Sequence, residues 1–171
     1  MAEHEIIDNF LSPEEFEQLR SIVMDKNPIY QQNIGWFYNS FVANENEVQD
    51  FKYFYMQHLV YLVNIISPPV YEKLIPVFEK LDIKVLSRIK CNLFPNSEKV
   101  HEHEMHSDTD YSHMAAVLYI NTCNGYTKLQ EDGTKIDSVA NRILIFDGSK
   151  PHCSTTTNDP TARFTINYNY F

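Results

Sequence analysis

Apolar positions follow two different periods along the chain, and the change falls near Ile83. Before Ile83, apolar residues recur at three- and four-residue spacing, which is typical of amphipathic helices. After it, short segments rich in β-branched and aromatic residues are separated by turn residues, which is typical of β-strands. Helices followed by a run of short antiparallel strands predict an α+β, mainly β protein: a sandwich or barrel with N-terminal helices packed outside.

The clearest helix signal begins at Ser12. Ser12 and Glu15 are spaced for a capping box, and Pro13 suits the first turn of a helix. A broad apolar stripe predicts a second, longer helix that ends before Ser67-Pro68-Pro69. A third, shorter helix contains Pro76, which disturbs it. We predict helices from Ser12 to about Asn27, from Glu45 to Ile66 and from Val70 to Lys80.

A first short strand is predicted at Glu5–Phe10, and the other strands follow Ile83. The aromatic segment Ile34–Ala43 has two interpretations: a strand or loop that covers the core, or a lid over a substrate cleft. Glu131-Asp132-Gly133 predicts a hairpin turn between two later strands. The later strands are predicted at Ile83–Phe94, Ala115–Ile120, Thr127–Gln130, Lys135–Val139, Arg142–Phe146, His152–Thr156 and Ala162–Tyr170.

The last predicted strand separates two kinds of side chain. Successive side chains of a strand point to opposite faces. One face carries Arg163, Thr165, Asn167 and Asn169, and the other carries Phe164, Ile166, Tyr168 and Tyr170. A polar row led by a guanidinium is unsuited to a sealed apolar core. It predicts a pocket that holds an anion.

Composition and charge indicate one globular domain of 171 residues. The chain is 43% hydrophobic and 13% aromatic, which is unlike a disordered protein. It shows neither an apolar run of the ~18 residues that span a membrane nor a signal peptide, so a cytoplasmic location is expected. A net charge of −9 without a basic stripe makes nucleic acid a poor partner. Three distant cysteines, Cys91, Cys123 and Cys153, favour neither disulfides nor a thiolate zinc site.

Candidate metal ligands are concentrated between His101 and Asp108, where three histidines and three carboxylates occur. In an extended segment, residues i and i+2 point to the same side, so His106 and Asp108 can bind one ion together. His152, from another predicted strand, would complete a set of two imidazoles and one carboxylate. Such a set leaves coordination positions open and suits non-heme Fe(II) oxygen chemistry. The chain contains no His-Glu-x-x-His sequence, which argues against a zinc hydrolase of that type.

His106-x-Asp108, His152 and Arg163-x-Thr165 together resemble the signature of the Fe(II)/2-oxoglutarate-dependent oxygenases, most closely the prolyl-4-hydroxylase-like branch with its small phage-encoded members. The resemblance is dense over residues 83–171. It implies a double-stranded β-helix, or jelly roll, over 83–171, with 1–82 as a helical support region of the same domain. Similar flanking segments are Tyr119-Ile120-Asn121, Asn124-Gly125-Tyr126-Thr127, the apolar strand at 141–148 and the opening at 6–12.

The resemblance implies an enzyme that couples oxidation of 2-oxoglutarate to hydroxylation of an unactivated C–H bond, with release of succinate and CO2. The implied metal-binding and catalytic residues are His106, Asp108 and His152. Arg163 would bind the far carboxylate of 2-oxoglutarate, with Tyr119 and Thr165 as further candidate contacts. O2 is the other cosubstrate, and ascorbate is a candidate reductant. The implied substrate is a prolyl residue of a peptide or protein, and small molecules remain open.

Other assignments stay open at the level of sequence. His101 and His103 are also possible ligands, but neither has an aspartate two positions later, which favours a role in the loop or in support of the ligands. Arg163 could instead pair with an acidic residue. The alternative function is a non-catalytic metal-binding jelly-roll module. A nucleic-acid dealkylase is a third candidate, which the acidic charge disfavours.

Overall fold

The computed structural model describes residues 4–24, 34–42, 53–63, 65–130 and 133–171. The predicted end of the first helix, residues 45–52 of the predicted second helix and residues 131–132 of the predicted hairpin turn lie outside these ranges. The helices are α1 (Pro13–Met24), α2 (Pro68–Tyr71) and α3 (Ile75–Lys80), with a 3₁₀ turn at Glu72–Leu74. The strands are β1 (His4–Ile7), β2 (Phe37–Asn39), β3 (Tyr55–Leu62), β4 (Ile65–Ile66), β5 (Leu86–Phe94), β6 (Met114–Tyr119), β7 (Tyr126–Leu129), β8 (Lys135–Asp137), β9 (Ile143–Asp147), β10 (His152–Ser154) and β11 (Arg163–Tyr170).

These strands form two antiparallel sheets. The larger sheet has the order β1-β9-β6-β11-β5-β3-β2, with β4 paired to β3. The smaller sheet has the order β10-β7-β8. β11 lies within the larger sheet, because it is hydrogen-bonded to β5 on one side and to β6 on the other. The last strand of the chain is therefore held along both edges.

The larger sheet is covered by helices on one face and by the smaller sheet on the other. Leu118 of β6 belongs to an apolar cluster with Leu19 of α1 and Val70 of α2. The preceding residue, Val117, points the other way and packs in a second cluster with Ile136 of β8. Because both of its faces are buried, β6 is apolar at nearly every position rather than at every second one.

The predicted capping box at the start of α1 is confirmed. The Ser12 N–H donates to a Glu15 carboxylate oxygen over 2.9 Å, and the Glu15 N–H donates to Ser12 Oγ over 3.3 Å. These two bonds satisfy N–H groups that a helix start leaves without partners. Leu19 and Val23 are buried on the face that meets the sheet. Across the described ranges, no helix combines the length and the apolar character needed to cross a membrane.

The predicted helix from Glu45 to Ile66 is wrong over its described part. Residues 55–62 form β3, which pairs with β5, and residues 65–66 form β4. The register against β5 shifts between Leu59 and Tyr61, so Val60 is an extra residue, a β-bulge. The bulge breaks the two-residue alternation, so apolar residues on either side of it recur at helix-like spacing. Pro68 and Pro69 begin α2 rather than ending a helix.

Candidate active site

Three side chains that the sequence predicts as metal ligands converge in the structure. The ligand atoms of His106, Asp108 and His152 lie within 4.8 Å of one another. His152 opens β10, and His106 lies opposite it in the segment between β5 and β6. The His106 N–H donates to the His152 carbonyl over 2.9 Å, and the His152 N–H donates to the His106 carbonyl over 2.8 Å. This backbone bridge brings two imidazoles from distant parts of the chain side by side.

Backbone carbonyls orient both imidazole rings. His106 Nδ1 lies 3.3 Å from the Glu104 carbonyl oxygen, and His152 Nδ1 lies 3.0 Å from that of Lys150. A carbonyl oxygen only accepts hydrogen bonds, so these contacts favour the proton on Nδ1 and leave the Nε2 lone pair for a metal. Burial lowers the pKa of His106, and its electrostatic interaction with His152 lowers it further. The His106 ring is therefore neutral at neutral pH, as a metal ligand must be.

Two side chains hold the Asp108 carboxylate in place. Arg88 Nη2 donates to Asp108 Oδ1 over 2.6 Å, and Asn169 Nδ2 donates to Asp108 Oδ2 over 2.8 Å. Arg88 Nε also donates to Asn169 Oδ1 over 3.1 Å, which links the three side chains in a ring. Burial disfavours the ionised carboxyl, but its interactions with His152, Arg88 and Asn169 outweigh burial and lower the pKa of Asp108 to about 2. Asp108 is therefore a buried, oriented anion at neutral pH.

This group fits a divalent iron ion by the chemistry of its donors. Two neutral imidazole nitrogens and one carboxylate oxygen are the protein ligands of non-heme Fe(II) oxygenases, and the remaining coordination positions stay open. The hydrogen bonds at His Nδ1 and at both Asp108 oxygens are the supporting contacts that such ligands usually receive. His106, Asp108 and His152 are thus a candidate set of ligands for the ion.

Asn169→Leu is expected to weaken binding of Mn(II), a redox-stable substitute for Fe(II), by about 10- to 100-fold. The change removes the amide that orients Asp108 Oδ2 without altering the charge near the metal. Calorimetric titration of wild type and variant would measure it. Tyr168→Phe is the matched control. It removes a buried hydroxyl on the opposite face of the same strand, and this hydroxyl has no hydrogen-bond partner among the described residues. Equal Mn(II) affinity in Asn169→Leu would mean that Arg88 alone orients the carboxylate.

One pocket contains the three candidate ligands. It encloses about 440 Å³ of empty space, including its open mouth. Its apolar lining comes mainly from Tyr55, Phe94 and Val117. Its other polar lining residues are Lys90, Asn92, Thr127, Ser154 and Asn167. The triad therefore lies in a cleft that opens to solvent and is lined by both polar and apolar side chains.

Arg163 lies behind the wall of this pocket. Its side chain is fully buried, with Phe94 and Tyr119 ring centroids 5.3 Å and 5.6 Å from the guanidinium carbon. Nη1 donates to Ser154 Oγ over 2.6 Å and Nη2 donates to Thr127 Oγ1 over 3.1 Å. Thr127 and Ser154 line the pocket, so two hydroxyls connect the guanidinium to it.

The other guanidinium hydrogens point away from the pocket. Nε donates to Ser138 Oγ over 2.6 Å, and Nη1 donates to the Thr155 carbonyl over 3.2 Å. No described carboxylate pairs with Arg163, so the sequence-level alternative of an internal salt bridge finds no support in the described residues. A cation buried among neutral oxygens suits a site that receives an anion.

Gly125, two positions before Thr127, lies where the fold has no space for a side chain. A Cβ at this position would lie 2.6 Å from Arg163 Cδ and 2.8 Å from the Thr156 carbonyl oxygen. Real Cβ atoms essentially never approach other atoms so closely, and both neighbours are buried. The glycine therefore makes space for the stem of the arginine.

Two further predicted contacts of 2-oxoglutarate, Tyr119 and Thr165, do not line the pocket. The Tyr119 hydroxyl lies 3.5 Å from the Ile136 carbonyl, and its ring packs against Arg163. Thr165 Oγ1 lies 3.4 Å from Asn92 Nδ2, inside the sheet. Both lie beside pocket residues and support them, and their predicted contact with a ligand stays a prediction.

His101 and His103 lie apart from the triad. The candidate metal group found among the described residues contains His106 and neither of these two histidines. The His101 ring stacks on Tyr53 at 3.8 Å, and the His103 ring lies 5.6 Å from Phe94. Both belong to an aromatic layer beside the pocket.

Several pocket residues were not recognised from the sequence. Lys90, Ser154 and the Asn169 contact to Asp108 come from three strands, and their proximity depends on sheet pairing. A usable signal existed in β5, where Arg88, Lys90 and Asn92 alternate with apolar residues. That alternation indicates a polar face, as it does in β11.

Solved structures of other proteins share this architecture. A prolyl hydroxylase from Trichoplax adhaerens, in complex with a peptide fragment of the hypoxia inducible factor oxygen degradation domain, has a TM-score of 0.67 at 16% identity, covering 99% of this chain and 83% of that chain. A viral collagen prolyl hydroxylase from Paramecium bursaria Chlorella virus-1, in complex with 2-oxoglutarate, has a TM-score of 0.64 at 14% identity, covering 98% and 94%. The chain has the fold of the 2-oxoglutarate/Fe(II) oxygenases.

A third structure agrees, a 2OG-Fe(II) oxygenase family oxidoreductase from Burkholderia pseudomallei, with a TM-score of 0.67 at 10% identity over 98% of this chain and 85% of that chain. No protein-family model matches the sequence, and no curated protein is significantly similar to it. The likeness is therefore one of fold. It confirms the predicted mainly β, double-stranded β-helix architecture with helices packed outside.

Proposed function

We propose that the protein is an Fe(II)- and 2-oxoglutarate-dependent oxygenase that hydroxylates an unactivated C–H bond of a second substrate and releases succinate and CO2. One observation carries the proposal: a His-Asp-His group and the hydroxyl partners of a buried guanidinium line the same pocket. A metal ion and a carboxylate ligand would meet there. The shared fold supports this assignment as an analogy.

The triad would hold the iron. Fe(II) bound by His106, Asp108 and His152 would supply the activation of O2. The carbonyl contacts at both Nδ1 atoms keep the Nε2 lone pairs directed into the pocket. The rings of Tyr55 and Phe94 line the same space and limit the access of water.

The far carboxylate of 2-oxoglutarate would bind at the Thr127 and Ser154 end of the pocket. Each hydroxyl accepts a hydrogen bond from Arg163, so each has its own hydrogen left to donate to a carboxylate. The carboxylate would then balance the charge of Arg163, either across these hydroxyls or by a direct hydrogen bond formed on binding. Tyr119 and Thr165 would keep Arg163 and Asn92 in place.

A prolyl residue of a peptide is the substrate that we propose first. Two of the similar proteins are prolyl hydroxylases, and one of them was solved with a peptide fragment. Free amino acids and other small molecules are the next candidates. Nucleic acid is disfavoured by the net charge of −9.

Succinate release is the test of this function. Protein loaded with Fe(II) is expected to convert 2-oxoglutarate to succinate faster when its substrate is present, with ascorbate as reductant. A panel of prolyl peptides, free amino acids and alkylated oligonucleotides would identify the substrate class. Asp108→Ala is the inactive control, because it lacks one proposed ligand. Tight metal binding without succinate in any arm would favour the second candidate, a non-catalytic metal-binding module.

A further inference from the structure

Lys90 is a cation in the pocket that forms no ion pair with any of the residues that the structure describes. It lines the same cavity as His106 and Asp108. The described residues offer its ammonium no hydrogen bond or ion pair, and its recorded contact is with the Tyr55 ring, 5.4 Å from Nζ to the centroid. Burial, and then the positive charge of Arg88, lowers the pKa of Lys90 to about 8, and the negative charge of Asp108 offsets only part of this effect. An ammonium placed in this way costs free energy unless a ligand supplies an anion.

The other two cations near the pocket already have partners. Arg88 donates to the Asp108 carboxylate. Arg163 is sealed behind the wall, with its donors directed at Ser138, Ser154 and Thr127. Lys90 is therefore the cation directly available to a ligand among the described lining residues.

The strand register places Lys90 toward the metal end of the pocket. In the β5–β11 pair, Lys90 lies opposite Asn167, one step of two residues from Arg88 and Asn169, which hold Asp108. Phe94, which packs on Arg163, lies four residues further along β5, or about 13 Å of strand. The charge of Lys90 also contributes to the lowered pKa of His106, which agrees with a position near the triad.

We propose that Lys90 binds the carboxylate of 2-oxoglutarate that lies next to the keto group, at the metal end of the pocket. This inference rests on the proposed function and assigns it a second carboxylate contact. The cosubstrate is a dianion, and the pocket offers one cation for each end: Lys90 beside the triad and Arg163 behind Thr127 and Ser154. A charge-assisted hydrogen bond from Lys90 would orient the ligand along the axis between them.

A comparison of two ligands tests the assignment. 2-Oxopentanoate has the keto acid end of 2-oxoglutarate but a methyl group in place of the far carboxylate. Lys90→Met is expected to weaken binding of both ligands to Mn(II)-loaded protein by about 10- to 100-fold, measured by anaerobic calorimetry. Arg163→Lys is expected to weaken binding of 2-oxoglutarate but not of 2-oxopentanoate, because 2-oxopentanoate lacks the far carboxylate that Arg163 serves.

Two controls separate binding from folding. Lys90→Arg keeps the charge and should retain more affinity than Lys90→Met. Lys99→Met removes an exposed lysine and should bind both ligands as wild type does. The melting temperature and Mn(II) affinity of Lys90→Met should stay close to wild type, since Lys90 is not a ligand. A loss of stability with unchanged ligand affinity would show a structural lysine and overturn the proposal.

The remaining outcomes are also decisive. If Lys90→Met weakens 2-oxoglutarate alone, Lys90 serves the far carboxylate, and the assignment to the metal end is overturned. If Lys90→Met binds both acids as tightly as wild type does, Lys90 contacts neither carboxylate and the proposal is overturned. This holds even if Lys90 contacts the second substrate. Failure of metal-loaded wild type to bind 2-oxoglutarate would instead overturn the proposed function itself.

Discussion

Replacing His106 or His152 by alanine should abolish turnover and reduce metal affinity by more than the 10- to 100-fold that loss of a supporting contact costs. Each substitution removes one of two imidazoles from a group with a single carboxylate. The bridge between the two backbones uses main-chain atoms only, so it can persist in both variants. Mn(II) calorimetry and succinate release would measure the two effects separately.

His101→Ala is the control for this pair of variants. His101 stacks on Tyr53 outside the triad, so its removal should leave most of the metal affinity and activity. Zinc-loaded protein should be inactive but not unfolded, because zinc accepts the same nitrogen and oxygen ligands without redox chemistry. Full activity in His106→Ala combined with loss in His103→Ala would show that the ligand set has been assigned to the wrong histidine.

Arg163→Ala is expected to raise the 2-oxoglutarate dissociation constant by about 30- to 1000-fold, corresponding to roughly 2–4 kcal/mol. The variant loses the charge that balances the far carboxylate and the donor that orients two pocket hydroxyls. Metal affinity should change little, because the guanidinium is not a ligand. Arg163→Lys should fall between, since it keeps the charge without the planar fork. Anaerobic titration of 2-oxoglutarate into metal-loaded protein measures these constants.

The structure adds a second expectation for Arg163→Ala. The guanidinium is fully buried and donates four hydrogen bonds, so its loss should also lower the melting temperature. Thr127→Val separates the two effects, because it removes a pocket hydroxyl and leaves the arginine in place. It should weaken 2-oxoglutarate by about tenfold and lower the melting temperature less than Arg163→Ala does, because it breaks one of the four hydrogen bonds of the guanidinium. A purely structural Arg163 would give a lower melting temperature in Arg163→Ala with wild-type ligand affinity.

The proximity of His106 to Asp108 and the two faces of the last strand could be predicted because their signals are local. His106 and Asp108 are two positions apart, and the alternation of Arg163 and Thr165 with Ile166 assigns their faces directly. The structure buries Ile166 in the helix-covered cluster, as that alternation requires. The two-residue alternation of a strand is enough to assign each side chain to one of its two faces.

The failures have non-local causes. The bulge at Val60 is imposed by pairing of β3 with β5, and it made a strand look like a helix in the sequence. The contact of Arg88 with Asp108 and the position of Lys90 beside Asn167 depend on which strands are neighbours. One sequence does not specify these pairings. Candidate ligands could be chosen from residue type and spacing, but their supporting contacts could not be predicted.

The position of β11 between two partners constrains how this protein can diverge. A deletion of one residue near Arg163 would turn every following side chain to the opposite face, so that Ile166 and Tyr168 entered the pocket and Asn169 met the helices. Both edges of the strand are hydrogen-bonded, so a slip would also break two ladders at once. Length changes should therefore be eliminated from this strand during evolution and accumulate in the segments around the pocket mouth. New substrate preferences would arise there, while the binding of metal and cosubstrate stays the same.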